Sequence, residues 1–238
     1  MPTTPSLTEE VTKELRNEIL RGQYREGERL PSQRDLAERF GVNRGCVREA
    51  LKTLEQMGLA DIRKGGARVM SLRDASLDVL GPLLDLGDLP DPELVTQLFG
   101  VLEGLIGVAA RSAVERGSEA ELEKAQELLE RFDDPSIEAP QELINLFVEA
   151  SGNLVLRMVA RGLKTQFMER IQAGVEPPPP CAHFAPVARE LARSLARRDP
   201  EVAEQTVQRL LAVLRDHILE GLEAKRAGAN GGAVGESA

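Results

Sequence analysis

The sequence predicts a mainly α protein: an N-terminal winged helix-turn-helix with a small β-hairpin, followed by an all-helical bundle. Three observations predict it. Residues 30–58 read as two short amphipathic helices joined by a tight turn. Residues 59–72 read as two short strands around Lys64-Gly65-Gly66, the signal of a hairpin. After residue 72 the apolar residues recur at helical spacing and no β-period segment is clear. Aromatics make up 3% of the chain and Trp is absent, so the cores must be mostly Leu, Val, Ile and Ala, which favours packed helices. At 238 residues the chain suits two domains.

Met1 to Pro5 reads as a loose tail. Ser6 with Glu9 forms a capping box, which satisfies orphan backbone donors at a helix start. It opens a helix to about Arg21, with Leu7, Val11, Leu15 and Ile19 on one face. Gly22 to Gly27 is a loop, where Arg25 or Arg29 could touch phosphate or could equally be a solvated charge. Ser32, with Asp35 three residues on, caps a second helix whose apolar residues are Leu36, Ala37 and Phe40. Gly41 stands where helices commonly end in a left-handed residue. Asn43 then caps a third helix, Arg44 to Met57, which Gly58 ends. The strands are expected over Leu59–Arg63 and Ala67–Leu72.

The functional argument rests on the polar start of the third helix. Arg44 and Arg48 are four apart and share a face. Gly45 and Cys46 are small and let that end approach a surface closely. A helix-turn-helix puts the start of its second helix in the major groove, where arginine can donate twice to N7 and O6 of guanine. A pair of arginines alone would more often be solvated charges. Here the turn, both caps and the hairpin agree. Asn43, Gly45 and Cys46 accordingly join the arginines as candidate DNA contacts. Cys46 could make binding redox-sensitive, although a small buried or contact-face residue is the plainer reading.

Arg73 onward changes character. Ala75 to Leu86 is a short apolar helix interrupted by Gly81-Pro82, and residues 87–92 form a break. The organisation is therefore 1–72 DNA-binding, 73–92 linker, 93–226 helical and 227–238 a Gly- and Ala-rich disordered tail. Helices are expected over about Glu93–Arg116, Glu119–Arg131, Gln141–Ala150, Leu154–Ala173, Val187–Arg197 and Glu201–Arg226. Gly174 to His183, with Pro177 to Pro180, must be a surface loop.

The net charge of -9 splits unevenly. Residues 1–72 hold 13 Lys+Arg against 11 Asp+Glu, and the remainder 17 against 28. The acidic part repels phosphate, so DNA must be met by the N-terminal part. Only Cys46 and Cys181 occur, with no secretory signal, which argues against a disulfide framework and for a cytoplasmic protein. No stretch approaches about 20 uninterrupted apolar residues, so no membrane partner is expected. Neither a Walker A sequence nor a dinucleotide fingerprint occurs. Cys181-Ala-His183 lacks a third partner for catalysis or zinc.

Residues 8–70 resemble the DNA-binding domain of the GntR family of bacterial transcription regulators. The matching residues are GQYREGERLPSQRDLAERFGVNRGCVREAL and the wing, including Gly22, Gly27, Leu30-Pro31-Ser32, Gly41-Val42, Arg44 and Val47-Arg48-Glu49-Ala50-Leu51. The resemblance implies that Arg34, Arg44, Arg48 and the wing tip at Lys64-Gly65 contact DNA. Two departures stand out: Gly45 and Cys46 replace larger or hydroxylated residues, and the wing turn looks one residue short.

The second half is similar to the effector domain of the family's FadR branch, through Phe147-Val-Glu-Ala-Ser-Gly-Asn153, Leu156 and Arg198-Asp199-Pro-Glu-Val-Ala203. Many members hold a divalent metal with one Asp and three His. Here those positions fall near Pro140, Ile144, Ala188 and Leu210, and a family arginine falls near Leu102. None can ligate a metal. The expectation is a metal-free effector pocket containing Leu102, Ile144, Ala188 and Leu210, with no cofactor. Its effector would be acyl or lipid-like, as for the branch's fatty-acid-responsive member, although the last helix here lacks that protein's Gly- and Trp-containing stretch. The competing reading is that these four residues are simply core. The function expected is a non-enzymatic, homodimeric repressor of a palindromic operator. The alternative is an enzyme or small-molecule carrier that uses the winged helix for protein contact.

Overall fold

The computed structural model describes residues 5–131, 139–174 and 184–232. The chain forms two compact units, Met1–Asp88 and Leu89–Ala238.

In the first unit, α1 (Leu7–Leu20) starts at a complete capping box: the Glu9 N–H donates to Ser6 Oγ and the Ser6 N–H to the Glu9 carboxylate. Its Val11, Leu15 and Ile19 are buried, and α1 packs on the third helix. Ser32 caps α2 (Gln33–Phe40), which ends on Gly41 at φ 65°. Asn43 caps α3 (Arg44–Gln56), whose Val47, Ala50, Leu51 and Leu54 are buried. This apolar stripe and the α1 stripe build one core with Leu30, Leu36, Leu59 and Val69.

β1 (Ala60–Arg63) and β2 (Gly66–Val69) pair antiparallel, with Arg63 opposite Gly66. The turn is therefore the two residues Lys64 and Gly65. The strands are shorter than expected. The Met70 N–H still donates to the Leu59 carbonyl, but Ser71 then caps a 3-10 turn, Leu72–Asp74. A feature not anticipated is a third edge. Gly27 and Leu30 donate to the carbonyls of Val69 and Ala67, and Val69 donates to that of Glu28. The expected interruption at Gly81-Pro82 does not occur, because α4 (Leu80–Leu84) contains both residues. Pro82 lies in the first turn, where its missing N–H costs no intrahelical bond.

The second unit is helical throughout its described residues. Its helices are α5 (Pro92–Arg116), α6 (Glu119–Glu130), α7 (Ala139–Ala150), α8 (Leu154–Gly174), α9 (Phe184–Ala196) and α10 (Pro200–Gly232). Residues 227–232 therefore continue the last helix rather than belonging to a tail. Extending an existing helix is far easier than starting one.

α5 packs against α10, α7 and α8. The α5–α10 pair is antiparallel: Arg215 bridges Glu103 at 2.9 Å, and Arg111 bridges Glu204 at 3.2 Å. Gly107 permits the close approach, since a Cβ there would lie 2.6 Å from Gln208 Nε2. By length and composition α5 could cross a bilayer, with a mean hydropathy of 1.5 over its most apolar window.

The Ala150-Ser-Gly-Asn153 sequence builds the α7–α8 corner. Ser151 is buried, and its hydroxyl donates to the Val148 carbonyl at 2.7 Å and accepts the Asn153 N–H at 3.2 Å. Gly152 takes φ 64°, and Asn153 Oδ1 accepts the Leu156 N–H at 3.1 Å. The other recognisable run, at Arg198-Asp199, ends α9 with Arg198 at φ 50°. It starts α10 with Asp199 Oδ1 accepting the Val202 N–H.

Candidate nucleic-acid interface

The start of α3 is fixed by its cap. Asn43 Oδ1 accepts the Cys46 N–H at 3.0 Å, so this oxygen is already engaged and only the amide nitrogen remains to donate elsewhere. Gly45 has a structural reason beyond small size: a Cβ there would stand 2.9 Å from the capping oxygen. Cys46, in this first turn, is half-buried.

Arg44 and Arg48 are both exposed. Arg48 lies 3.6 Å from Glu49, which also bridges Lys52 at 3.1 Å. Lys52 chiefly, with Arg48, holds the Glu49 carboxyl below its ordinary range. Such exposed pairs are weak and give up a partner readily, so Arg48 stays available to a stronger anion.

Arg34 is exposed in the first turn of α2, and Lys64 and Gly65 are exposed at the wing tip. Gly65 has φ 115° and Gly66 φ 127°, conformations that suit only glycine and make the two-residue turn possible. Arg29 is occupied locally: its guanidinium lies where a Cβ on Gly66 would stand, 2.9 Å from Nε. Arg68 likewise donates to the Gly27 carbonyl at 2.8 Å. Both cations brace the wing.

Sequence reading missed another brace. Arg39 pairs with Glu18 of α1, donates to the Tyr24 hydroxyl at 3.1 Å and lies 4.4 Å over the Phe40 ring. The Glu18 hydrogen bond is the main cause of its raised pKa. Arg39 and Glu18 are 21 residues apart, so no local spacing announces them.

The proposed effector residues do not all come together. Ala188 and Leu210 are buried in the core of the second unit, Ile144 packs against it, and Leu102 is half-buried on α5 and not part of it. At Ile144, Ala188 and Leu210, the positions to which the resemblance carries the family's metal ligands, the side chains are apolar and do not fit a metal. Among the described residues no group of three or more His, Cys, Asp or Glu could hold an ion. Cys181, His183 and the side chain of Pro140 lie outside the described residues.

Residues 7–69 match the bacterial regulatory proteins of the gntR family, and residues 97–213 match the FCD domain. The HTH-type transcriptional regulator Mce2R of Mycobacterium tuberculosis is 30% identical over 226 residues, 91% of this chain and 93% of that protein. The chain belongs to the GntR family. The regulator LutR of Bacillus subtilis is 39% identical over 112 residues, 47% of this chain and 50% of its own. In fold, the chain is similar to the solved structure of Lar, described as controlling the agr system of Listeria monocytogenes. That match has a TM-score of 0.55 at 19% identity, over 92% of this chain and 99% of that one. Within the GntR family this chain is a transcription regulator with a DNA-binding helix-turn-helix and an effector-binding FCD domain, and not an enzyme.

Proposed function

We propose that the chain is a homodimeric repressor that reads a short palindromic operator and releases it when a small effector enters the second unit. The observation that carries the DNA assignment is the pair of exposed arginines, Arg44 and Arg48, one turn apart at the capped start of α3. Arg44 and Arg48 read base edges, with guanine the natural target. Asn43, Gly45 and Cys46 line the approach. Arg34 and the Lys64-Gly65 tip meet phosphate on either side.

The effector site is metal-free and apolar, supported by Ile144, Ala188 and Leu210 at the positions where other members carry ligands. Thr206 adds a polar point. It lies one turn before Leu210 and is buried, and its hydroxyl has no hydrogen-bond partner among the described residues. Buried hydroxyls are nearly always bonded, so this one is suited to a ligand oxygen. An acyl or lipid-like molecule with one polar end fits that chemistry. Leu102 joins the set only if α5 turns it inward on binding. The mechanism is a population shift, in which effector occupancy favours a spacing of the paired winged helices that the operator does not match.

The test is selection of bound sites from a random duplex library, followed by titration of the wild type and Arg48→Ala. Arg48→Ala should cost about 1–3 kcal/mol on the selected site and relax one base position. No enriched sequence from the wild type would reject site-specific repression. Native mass spectrometry of protein purified without added metal tests the pocket. An acyl mass supports it, and a stoichiometric metal ion overturns it.

A further inference from the structure

The helix α3 is anchored at both ends, and the second anchor comes from beyond the wing. Its first turn is closed by Asn43. Its last turn closes on Gly58 at φ 71°. There the Gly58 N–H donates to the Glu55 carbonyl at 3.0 Å and the Leu59 N–H to the Leu54 carbonyl at 2.9 Å, the paired bonds of a Schellman ending. Such an ending leaves the cap residue's own carbonyl, here that of Met57, without a partner from the helix. The Ser76 N–H donates to it at 2.9 Å.

Ser76 lies in the stretch that the sequence sets apart as linker, residues 73–92. Its neighbours press on the same point. A Cβ on Gly58 would stand 2.4 Å from the Asp74 carbonyl oxygen and 3.1 Å from the Ala75 Cα, so only glycine lets the linker lie this close. Further along, Val79 is buried in the core of the first unit, and Ala75 and Leu83 pack against that core together with Met57. Residues 74–83 thus belong physically to the winged-helix unit. They are also the covalent route by which the second unit reaches it.

We propose that Ser76 is a positioning residue for DNA reading: its backbone N–H, on the carbonyl that ends α3, fixes the far end of that helix and so the aim of Arg44 and Arg48. The proposal rests on base reading by those two arginines and adds what holds them in register. A helix is stiff, and the 13 residues of α3 run about 20 Å at 1.5 Å per residue. A displacement imposed at Met57 is therefore carried to the reading end. Hydrogen bonds to base edges keep within a range of about 0.5 Å, so they register such a shift. Contacts to phosphate carry no sequence information and register it less. The wing's first strand hangs on the same last turn, because the Ile62 N–H donates to the Glu55 carboxylate at 3.0 Å. Met57 and Ser76 are only half-buried, so water can replace either partner and the bond can open without unfolding the unit.

The experiment compares the full chain as wild type, Ser76→Pro and Ser76→Ala, by fluorescence anisotropy on the selected duplex and on a scrambled one at the same salt concentration. Proline suits this position. Ser76 has φ -72° and ψ 163°, and Ala75 before it is extended at φ -69° and ψ 143°. The substitution therefore removes the N–H without bending the chain. Ser76→Ala keeps the N–H and removes only the hydroxyl, which donates to Asp78 at 3.3 Å. In Ser76→Pro the ratio of selected to scrambled affinity should fall about tenfold, the effect of losing one base contact. Scrambled binding and helical circular dichroism should not change, and Ser76→Ala should match the wild type. A fall in both affinities together, or in neither, would overturn the positioning role and leave base reading by the arginines standing. An equal fall in Ser76→Ala would assign the effect to the hydroxyl and overturn it as well. A wild type that enriches no sequence removes the arginine reading and the proposal with it. If Ser76→Pro does not fold, hydrogen exchange on the wild type decides. Operator binding should slow exchange of the Ser76 amide, and unchanged exchange would overturn the proposal.

Discussion

The side-chain oxygen of Asn43 accepts the backbone N–H of Cys46 at 3.0 Å, so the residue before the recognition helix holds the helix's first turn closed. On the proposed function, the cap serves stability and the DNA-reading end together. Asn43→Ala should lower the unfolding free energy by about 1 kcal/mol, read from urea titrations. Asn43→Ser should recover most of the loss, because a hydroxyl can accept the same N–H. Operator affinity should fall in Asn43→Ala and recover in parallel. Loss of affinity in Asn43→Ser at full stability would instead show that the amide itself touches DNA.

Two left-handed glycines in the same unit should respond differently to alanine. Gly41 has φ 65° and open space where a methyl would stand, so Gly41→Ala bears only backbone strain, about 1–2 kcal/mol. Gly58 has φ 71°, and its Cβ would stand 2.4 Å from the Asp74 carbonyl oxygen, a backbone atom that cannot step aside alone. Gly58→Ala should therefore cost clearly more, seen as a lower thermal midpoint. Equal midpoints for the two variants would mean that the Asp74 turn yields freely.

Much of this fold is legible in the sequence because its signals are local. The capping residues Ser6, Ser32 and Asn43 and the stop at Gly41 lie within four residues of what they act on, and the structure uses each as expected. What escapes is long-range or depends on geometry. The pairing of residues 27–30 with β2 joins segments about 40 apart, and Arg39 finds Glu18 across the helix-turn-helix. Pro82 reads as a break because a proline's effect depends on its turn within the helix, which the sequence does not mark. Among the candidate site residues, exposure of Arg44, Arg48 and Lys64 follows from helix and turn periodicity. The apolar set is legible only as apolar. Burial separates Ala188 and Leu210 from Leu102, and burial is a property of packing.

Thr206 offers a test of the second unit that needs no known effector. Its hydroxyl is buried without a partner among the described residues, an arrangement that costs about 1–3 kcal/mol. Thr206→Val keeps the shape and removes the hydroxyl, so the thermal midpoint of the ligand-free protein should rise. If an effector uses that hydroxyl, the same variant should bind it more weakly, so operator release should need more of it. A lower midpoint for Thr206→Val would mean that the hydroxyl is bonded in solution and is not a vacant contact.

The wing and the recognition helix should separate in their salt dependence. Lys64 sits on the exposed two-residue tip, where it can reach phosphate as a point charge but carries no fixed geometry for a base edge. Arg44 sits on a capped helix start and can present a fixed fork. Lys64→Ala should therefore weaken binding to all duplexes by a similar factor and reduce the slope of log affinity against log salt by about 1. Arg44→Ala should weaken the selected site more than a scrambled one, by about 1–3 kcal/mol. Titrations by fluorescence anisotropy at several salt concentrations, on both duplexes, measure all of these quantities. The net charge of only +2 over residues 1–72 sharpens the comparison. With so little background attraction, losing one phosphate contact should be visible in the slope. An unchanged slope in Lys64→Ala would take the wing tip off the DNA.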